Sequence, residues 1–461
     1  MGASRCARNG ALLLVAVSRV AGAEPPVRAE LTTRLDSGNL LGPAAVEPPL
    51  WEGLGSARAG GENLARFTLA TDQIGYVPGV RTSARLRLEL EGWGEDQPVR
   101  LRDLSSSVGV SWQVGAGSSF WLSAYPLDSD YLRLGYLHAL DWGGTRTQRR
   151  ESVFVSPHGG VPSLIAGLRT PRIALFAGAK WATVDDAVTG PRRRWGALGG
   201  GSLEVSGALR VEVGVGIFQR AAGVVEGTSA RWVWHVGARE PELSEEPFRP
   251  ASLRDEPTRL TVEAPLGVAI ALEGVLLVTR HHRSPADARS SVSAPAAAWY
   301  GSARGKRLAG HFALAWRSLA FVLRNDPRFS VAEDVPETSA QQAELMAWAG
   351  ASCTLPLQLV PSVEVGGRLP AAVQTPSALP GVAQSWTVRE SGLTPLPVGA
   401  ARLPVLAARL SLRWQASSSL ALALSSDYQR DPNRTRLDAA TQRVFDTPDS
   451  LSVLAAVQGR L

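Results

Sequence analysis

The chain contains little of the chemistry on which enzymes and metalloproteins depend. Its 461 residues include only two cysteines and six histidines. One cysteine, Cys6, precedes the first apolar segment, in the part of the chain that we expect to be cleaved off, which leaves only Cys353. A disulfide framework is therefore excluded. The patterns GxxxxGK[ST], HExxH and GxSxG are absent, so nucleotide-binding, zinc-protease and hydrolase assignments lack their usual anchors. We expect no catalytic residues, no metal ligands, no cofactor and no enzymatic activity.

Long uncharged apolar runs are also missing. A membrane-spanning helix needs about 20 consecutive apolar residues, and no segment of the chain supplies them. The nearest run, Leu266 to Val278, contains Glu273 and alternates bulky with small residues, which favours a strand. The net charge of +6 falls to +3 (6 − 3) without Arg5, Arg8 and Arg19 of the N-terminal segment, which is small for a nucleic-acid binder of this size, so we expect no nucleic-acid partner.

The N-terminus has the features of an export signal. Arg5 and Arg8 precede the apolar residues 11–17, and the small residues Ala21 to Ala23 follow. This order predicts a cleaved signal peptide over residues 1–23. Residues 24–62 are rich in proline, glycine, alanine and glutamate with little periodicity, so we predict a flexible N-terminal extension there.

Strict alternation of apolar and polar residues is what the chain has most of. From Ala84 to Gly92, even positions are small or apolar and odd positions are charged, and similar runs recur over residues 63–461. Only a β-strand places residues that alternate in this way on two opposite faces. In an exported chain, roughly 14 to 18 such runs predict an all-β transmembrane antiparallel β-barrel of about 16 strands. A run from Leu203 to Ile217 is one long strand or two joined near Gly207, and loops are predicted at 183–196, 240–258, 283–297, 325–340 and 370–400.

Together these features resemble the outer-membrane β-barrel proteins of Gram-negative bacteria, the porin-like group in particular. Aromatic residues near strand ends contribute to the resemblance and form a candidate aromatic girdle: Trp93, Trp112, Trp181, Trp316, Trp348, Trp414 and Tyr428. The resemblance implies location in the cell outer membrane. It also implies contact with lipid and lipopolysaccharide, and handling by the barrel-assembly machinery. The last strand of the family usually finishes in an aromatic residue, whereas this chain finishes in Leu461.

Charged residues at polar parity are the candidate lumen-facing charges. They are Arg85, Arg87, Glu89, Glu91, Arg210, Glu212, Arg231, Arg239, Arg409 and Arg413. Inside a barrel, opposed charges hydrate a pore and bias it towards one ion sign. The same residues also suit a salt-bridged interior that conducts nothing, and the sequence leaves both interpretations open.

These sequence features are compatible with three functions. The leading one is a passive channel for small hydrophilic solutes. The alternative is a non-conducting scaffold that binds proteins of an envelope-spanning complex, for example in motility or surface attachment. An outer-membrane hydrolase is a weaker alternative. A soluble all-β protein would instead bury its apolar parity against itself.

Overall fold

The computed structural model describes most of the chain from Val27 onward. The described residues are 27–42, 63–72, 77–91, 100–103, 106–127, 135, 137–138, 140–141, 144–145, 162–186, 190–220, 223–237, 266–281, 291–325, 340–377, 379–389 and 392–460. The predicted signal peptide, Trp93, Arg239 and Leu461 lie outside these residues.

One antiparallel sheet forms the wall of the molecule. Its strands are β1 Val27–Asp36, β2 Asn63–Asp72, β3 Val80–Glu91, β4 Arg100–Asp103, β5 Ser107–Gly115, β6 Ser118–Tyr125, β9 Ser163–Arg169, β10 Ile173–Asp186, β11 Gly190–Ser206, β12 Leu209–Arg220, β13 Gly223–Gly237, β14 Gly267–His281, β15 Ser291–Arg304, β16 Leu308–Arg317, β18 Glu344–Cys353, β19 Leu359–Leu369, β23 Val405–Gln415, β24 Leu420–Arg430 and β27 Asp449–Arg460.

Shorter elements connect these strands. They are β7 Leu140–Asp141, β8 Gly144–Thr145, α1 Leu319–Asn325, β17 Ala340–Gln342, a 3₁₀ turn at Pro356–Gln358, β20 Ala372–Pro376, β21 Ala383–Arg389, β22 Gly392–Pro395, β25 Thr435–Leu437 and β26 Arg443–Phe445. Among the described residues, no helix is long and apolar enough to cross a membrane.

The wall closes on itself. Neighbouring strands pair in chain order, and β1 pairs with both β2 and β27, with Thr32 opposite Arg66 and Gln458. β4 and β5 both pair with β3 and occupy one position in the wall, so the closed barrel has 18 strands. The predicted transmembrane antiparallel barrel is confirmed, with two strands more than the 16 expected.

The barrel begins earlier than the sequence suggested. Residues 27–36, which fell within the predicted flexible extension of residues 24–62, form β1 and close the barrel. This strand alternates like the others, with Leu31 and Leu35 at one parity and Glu30 and Thr32 at the other. It escaped detection because it is a single run among proline- and glycine-rich neighbours.

Several predicted loops are strands. Residues 183–196 belong mainly to β10 and β11, which pair as far as Asp186 and Gly190, and residues 291–297 belong to β15. The run from Leu203 to Ile217 is two strands joined at residues 207–208. Residues 370–400 hold β20, β21 and β22, which form a small sheet with β17. The predicted loop at 240–258 lies outside the described residues.

The two ends of the barrel differ. At one, which we call the short-turn end, most connections are brief, for example 116–117, 170–172 and 207–208, although the longer connection between β13 and β14 also starts and ends there. The opposite, long-loop end carries α1 and the small sheet. There Leu319 and Val322 of α1 pack with Val373 and Val388 of the small sheet, so these two elements share a hydrophobic core.

The two faces of the wall have inverted polarity. On β12 the outward residues Val213 and Val215 are about half exposed, whereas the inward Arg210 and Glu212 are almost fully buried. On β13, Trp232 and Trp234 likewise point out while Arg231 points in. A water-soluble fold buries its apolar parity instead. An apolar outer face and a polar inner face are the arrangement of a transmembrane β-barrel.

Charge on the outer face therefore disrupts the barrel in a depth-dependent way. We expect Val215→Arg, in the middle of β12, to lower the free energy of unfolding by about 2–4 kcal/mol. We expect Val236→Arg, one residue from the end of β13, to lower it by about 1 kcal/mol or less. Urea unfolding in lipid vesicles measures both variants. Equal effects would contradict a lipid-facing wall.

Candidate functional site on the inner wall

Acidic and basic side chains alternate across the inner wall. Glu212 on β12 is in register with Arg231 on β13, which is in register with Glu273 on β14. Arg231 Nη1 lies 3.3 Å from Glu212 Oε2, and the guanidinium lies 5.5 Å from the centroid of the Tyr300 ring. All three charged side chains are almost fully buried, and charges this deep in a protein need such partners. We call Glu212, Arg231 and Glu273 the buried row.

Three further side chains extend this charge network toward the short-turn end. Arg210 Nε lies 2.8 Å from Glu212 Oε1, and Arg210 Nη1 lies 3.8 Å from Glu204 Oε1. His235 Nε2 also lies 3.8 Å from Glu204, at Oε2. The predicted lumen-facing residues Arg210, Glu212 and Arg231 are thus brought together in one network of paired charges.

A segment of the connection between β6 and β9 lies against this wall. The carboxylate of Glu273 accepts hydrogen bonds from the backbone N–H groups of Leu137 and His138, at 2.8 and 3.3 Å. His138 Nε2 lies 3.1 Å from the carbonyl oxygen of Ala297, and its ring meets Phe321 of α1 edge-on. Leu137 packs against a patch of small wall residues that includes Ala271, Ala298, Ala313 and Ala315. Residues 137–138 therefore fill part of the lumen.

Gly135 makes this close approach possible. Its φ of +79° lies in the left-handed region that side chains disfavour. A Cβ there would also lie 2.8 Å from the carbonyl oxygen of His138 and 3.0 Å from Glu273 Oε1.

Burial keeps His138 uncharged. Loss of solvent, and then the positive charge of nearby Arg317, lower the pKa of its imidazole from 6.5 to about 3. We call residues 137–138 the docked segment. While it is docked, the His138 imidazole stays neutral at mildly acidic pH, whereas the same imidazole released into water would bind a proton.

A buried ion pair lies at the long-loop end. Arg317, at the end of β16, donates to Glu344, at the start of β18, from Nε at 2.6 Å and also from Nη2. The strands place both residues opposite one another in register. Neither side chain has more than 2% of its surface exposed, so this pair belongs to the filled part of the lumen.

A second row of charges crosses the wall from β16 to β24. His311 on β16 lies 3.0 Å from Glu364 on β19, measured from Nε2 to Oε1. Arg409 on β23 lies 3.9 Å from Glu364 and donates to Asp427 on β24 from Nη2 at 3.0 Å. These side chains keep 14–19% of their surface exposed. We call His311, Glu364, Arg409 and Asp427 the open row.

Glycine at position 350 lets the open row form. Gly350 on β18 lies in register between His311 and Glu364, so the two side chains meet across it. A Cβ at Gly350 would lie 2.5 Å from the His311 ring and 2.8 Å from Glu364 Cγ.

No protein-family model and no curated protein sequence matches the chain significantly. Solved barrels match it over nearly its whole length. Pseudomonas aeruginosa OpdK, solved with vanillate, is 12% identical with a TM-score of 0.47, the match covering 95% of this chain and all of OpdK. OpdL of the same species is 9% identical with a TM-score of 0.48, over 95% of this chain and 98% of OpdL. The outer-membrane channel DcaP of Acinetobacter baumannii is 11% identical with a TM-score of 0.43, over 96% of this chain and all of DcaP.

The fold is that of a transmembrane β-barrel, as the resemblance in the sequence implied. The closed strand pairing and inverted polarity of the chain itself carry this conclusion. Within the described part of the barrel, no cluster of three or more histidine, cysteine, aspartate or glutamate side chains is arranged to hold a metal ion.

The remaining residues that we predicted to face the lumen differ in how deeply they are buried. Arg85 and Arg87 lie half-buried at inward parity on β3, and Arg413 is buried on β23. Glu89 and Glu91 belong to β3, but their side chains are not among those that the structure describes. The site prediction omitted Glu273, Glu344, Glu364, Asp427 and His311. Inward parity could have included them, but only strand register shows which charges meet.

Most described residues of the candidate aromatic girdle point outward. Trp181, Trp316, Trp414 and Tyr428 are exposed on the outer face, while Trp112 stacks on Phe120 at 5.4 Å. Trp316 and Trp414 each lie one residue from a strand end, at opposite ends of the barrel.

The assignment of Trp348 to the girdle was wrong. Its side chain is buried on the inner face with Met346, Ala313 and Ala315. On β18 the outward parity belongs instead to Leu345, Ala347 and Ala349, and a one-residue change of parity moves a side chain to the opposite face.

The buried pair at the long-loop end has a measurable stability effect. We expect Arg317→Ala to lower the free energy of unfolding by about 3–5 kcal/mol, because it leaves the Glu344 carboxylate buried without this partner. The double variant Arg317→Met/Glu344→Leu should recover much of the loss. Arg307→Ala, at an exposed position just before the same strand, should change stability by about 0.5 kcal/mol or less. Urea unfolding of the refolded barrel gives the values. A double variant as unstable as Arg317→Ala would contradict the role of the unpaired carboxylate.

Docking of residues 137–138 should weaken in acid. The released imidazole binds a proton below pH 6.5, and the docked one stays neutral to about pH 3. Docking is therefore at full strength above pH 6.5 and weakens as the pH falls from 6.5 toward 3. Hydrogen exchange at the Leu137 and His138 amides, corrected for intrinsic rates, should show less protection at pH 4.5 than at pH 7. His138→Gln should abolish this difference. Equal protection of the wild type at both pH values would contradict the mechanism.

Proposed function

We propose that the protein is a passive channel for small hydrophilic solutes in the cell outer membrane, without enzymatic activity. The observation that carries the proposal is a contrast in accessibility within the lumen. Buried, paired charges and the docked segment fill part of it, whereas the charged groups of the open row remain partly accessible to water. A water path along the open row follows from this contrast.

Further half-buried inward residues, on β1 to β3 and on β24, support such a path. Thr32 on β1, Thr68 on β2 and Arg85 and Arg87 on β3 face inward and remain half-buried rather than buried. Ser425 on β24 is half-buried one inward position from Asp427. Hydroxyl groups and charges of both signs hydrate a pore wall, and charged rings set ion preference.

The outer-membrane location forms part of the proposal. The apolar outer face suits lipid, and the predicted signal peptide over residues 1–23 supplies export. Lipopolysaccharide and the barrel-assembly machinery are the partners that this location implies.

The filled part of the lumen favours a second candidate function. With Glu273, Arg317 and Glu344 essentially inaccessible to water, part of the barrel acts as a solid body. If the path along the open row is closed, the barrel is a scaffold for an envelope-spanning complex, with its long-loop end as the contact surface.

Conductance separates the two functions. Purified protein should first show heat-modifiable mobility on a detergent gel, which verifies a folded barrel. In planar bilayers it should then give stepwise conductance. A folded but silent barrel that co-purifies with specific envelope proteins would contradict the channel and support the scaffold.

A matched pair of variants tests the route. Ser425→Trp places a bulky ring inside the lumen beside the open row and should lower single-channel conductance. Leu424→Trp, its neighbour on the outer face, should leave conductance unchanged because its side chain contacts lipid. Equal conductance in both variants would place the path elsewhere.

A further inference from the structure

The open row has a net charge that one residue can change. Glu364 and Asp427 are acidic and Arg409 is basic, so the row with a neutral His311 carries one net negative charge. Protonation of His311 brings this charge to zero. Histidine is the side chain whose ordinary titration falls between pH 5 and 8, where carboxylates and arginine keep their charges.

The charged group in contact with His311 is Glu364, two strands away on β19. Arg304, on the adjoining β15, also has inward parity and lies at the exposed end of that strand, two residues beyond Ser302. The cross-strand neighbours of His311 are Ser302 on β15 and Gly350 on β18, and neither titrates. Glu364 follows at 3.0 Å across Gly350, and Arg409 lies beyond Glu364. The imidazole is also accessible, with 19% of its side chain exposed to the lumen.

Two other histidine side chains that the structure describes are less exposed. His235 keeps only 4% of its side chain exposed, and His138 is buried as part of the docked segment. Among the described residues, His311 therefore combines a titratable group with contact to the proposed water path.

We infer that the open row is the ion-selectivity element of the channel, and that His311 makes its preference depend on pH. Near pH 8 the net negative charge of the row raises the cation preference above the level that the rest of the path sets, which includes Arg85 and Arg87. Near pH 5 that contribution declines because imidazolium offsets one carboxylate. Charges lining a pore act on permeating ions over roughly the Debye length, about 10 Å at 0.1 M salt and 30 Å at 0.01 M. This inference rests on the proposed channel function.

Reversal potentials in a KCl gradient between 0.01 and 0.1 M test the inference on the full-length protein. The wild-type cation-to-anion permeability ratio should fall between pH 8 and pH 5. His311→Gln should keep the wild-type pH 8 ratio at both pH values, because the row stays at one negative charge. Glu364→Gln should give a lower ratio at each pH, because it removes one negative charge.

A matched histidine provides the control. His235→Gln alters a buried wall histidine outside the open row and should retain the wild-type pH response. Heat-modifiable mobility checks that each variant folds. If His311→Gln does not fold, the permeability ratio of Glu364→Gln tests the role of the open row independently.

The failures are distinguishable. Current whose selectivity responds to pH equally in wild type and His311→Gln, or a Glu364→Gln ratio equal to wild type, would overturn the role of the row and leave the channel intact. A folded barrel that passes no current at either pH would overturn both proposals.

Discussion

Backbone hydrogen bonding around a closed ring is the constraint on which the rest of the structure depends. In lipid, an unpaired N–H or C=O group costs several kcal/mol, so a spanning sheet has no tolerable edge. The pairing of β1 with β27 removes the last edge and joins chain segments more than 400 residues apart in sequence. Once the ring is closed, each strand has one face toward lipid and one toward the lumen.

Closure creates a second problem inside the barrel. The inward parity carries many charges, and those shielded from water must meet partners of opposite sign. The buried row and the Arg317–Glu344 pair solve this by cross-strand register, with acid opposite base on adjacent strands. Glu273 has a second role, because its carboxylate also accepts hydrogen bonds from the backbone of Leu137 and His138 and holds these residues against the wall. Charge pairing and filling of the lumen are thus one arrangement.

Two glycines allow these contacts. Gly135 permits a left-handed backbone close to Glu273, and Gly350 leaves room for His311 and Glu364 to meet across a strand. In both places the absence of a side chain leaves room for a contact with a glutamate carboxylate. The filled and open parts of the lumen therefore differ through local geometry as well as through composition.

The sequence by itself determined the fold class and the two faces. Strict alternation, as at Arg85 and Arg87, places successive side chains on opposite faces whatever the partner strand is. It therefore predicted a barrel with charged residues such as Arg210, Glu212 and Arg231 inside. Alternation is weaker evidence where a strand stands alone, which is why β1 was taken for part of an extension. It is also weaker where small residues occupy the outer parity, which is why Trp348 was assigned to the wrong face.

Tertiary structure alone decided which charges meet. His311, Glu364, Arg409 and Asp427 are spread over more than 100 residues, and no local pattern links them. Their contact depends on the register of each strand pair, which backbone pairing and closure of the whole ring fix together. The same holds for His138 and Glu273, which a long connection brings together inside the lumen. Parity is a local property of the chain, whereas register is a property of the closed barrel.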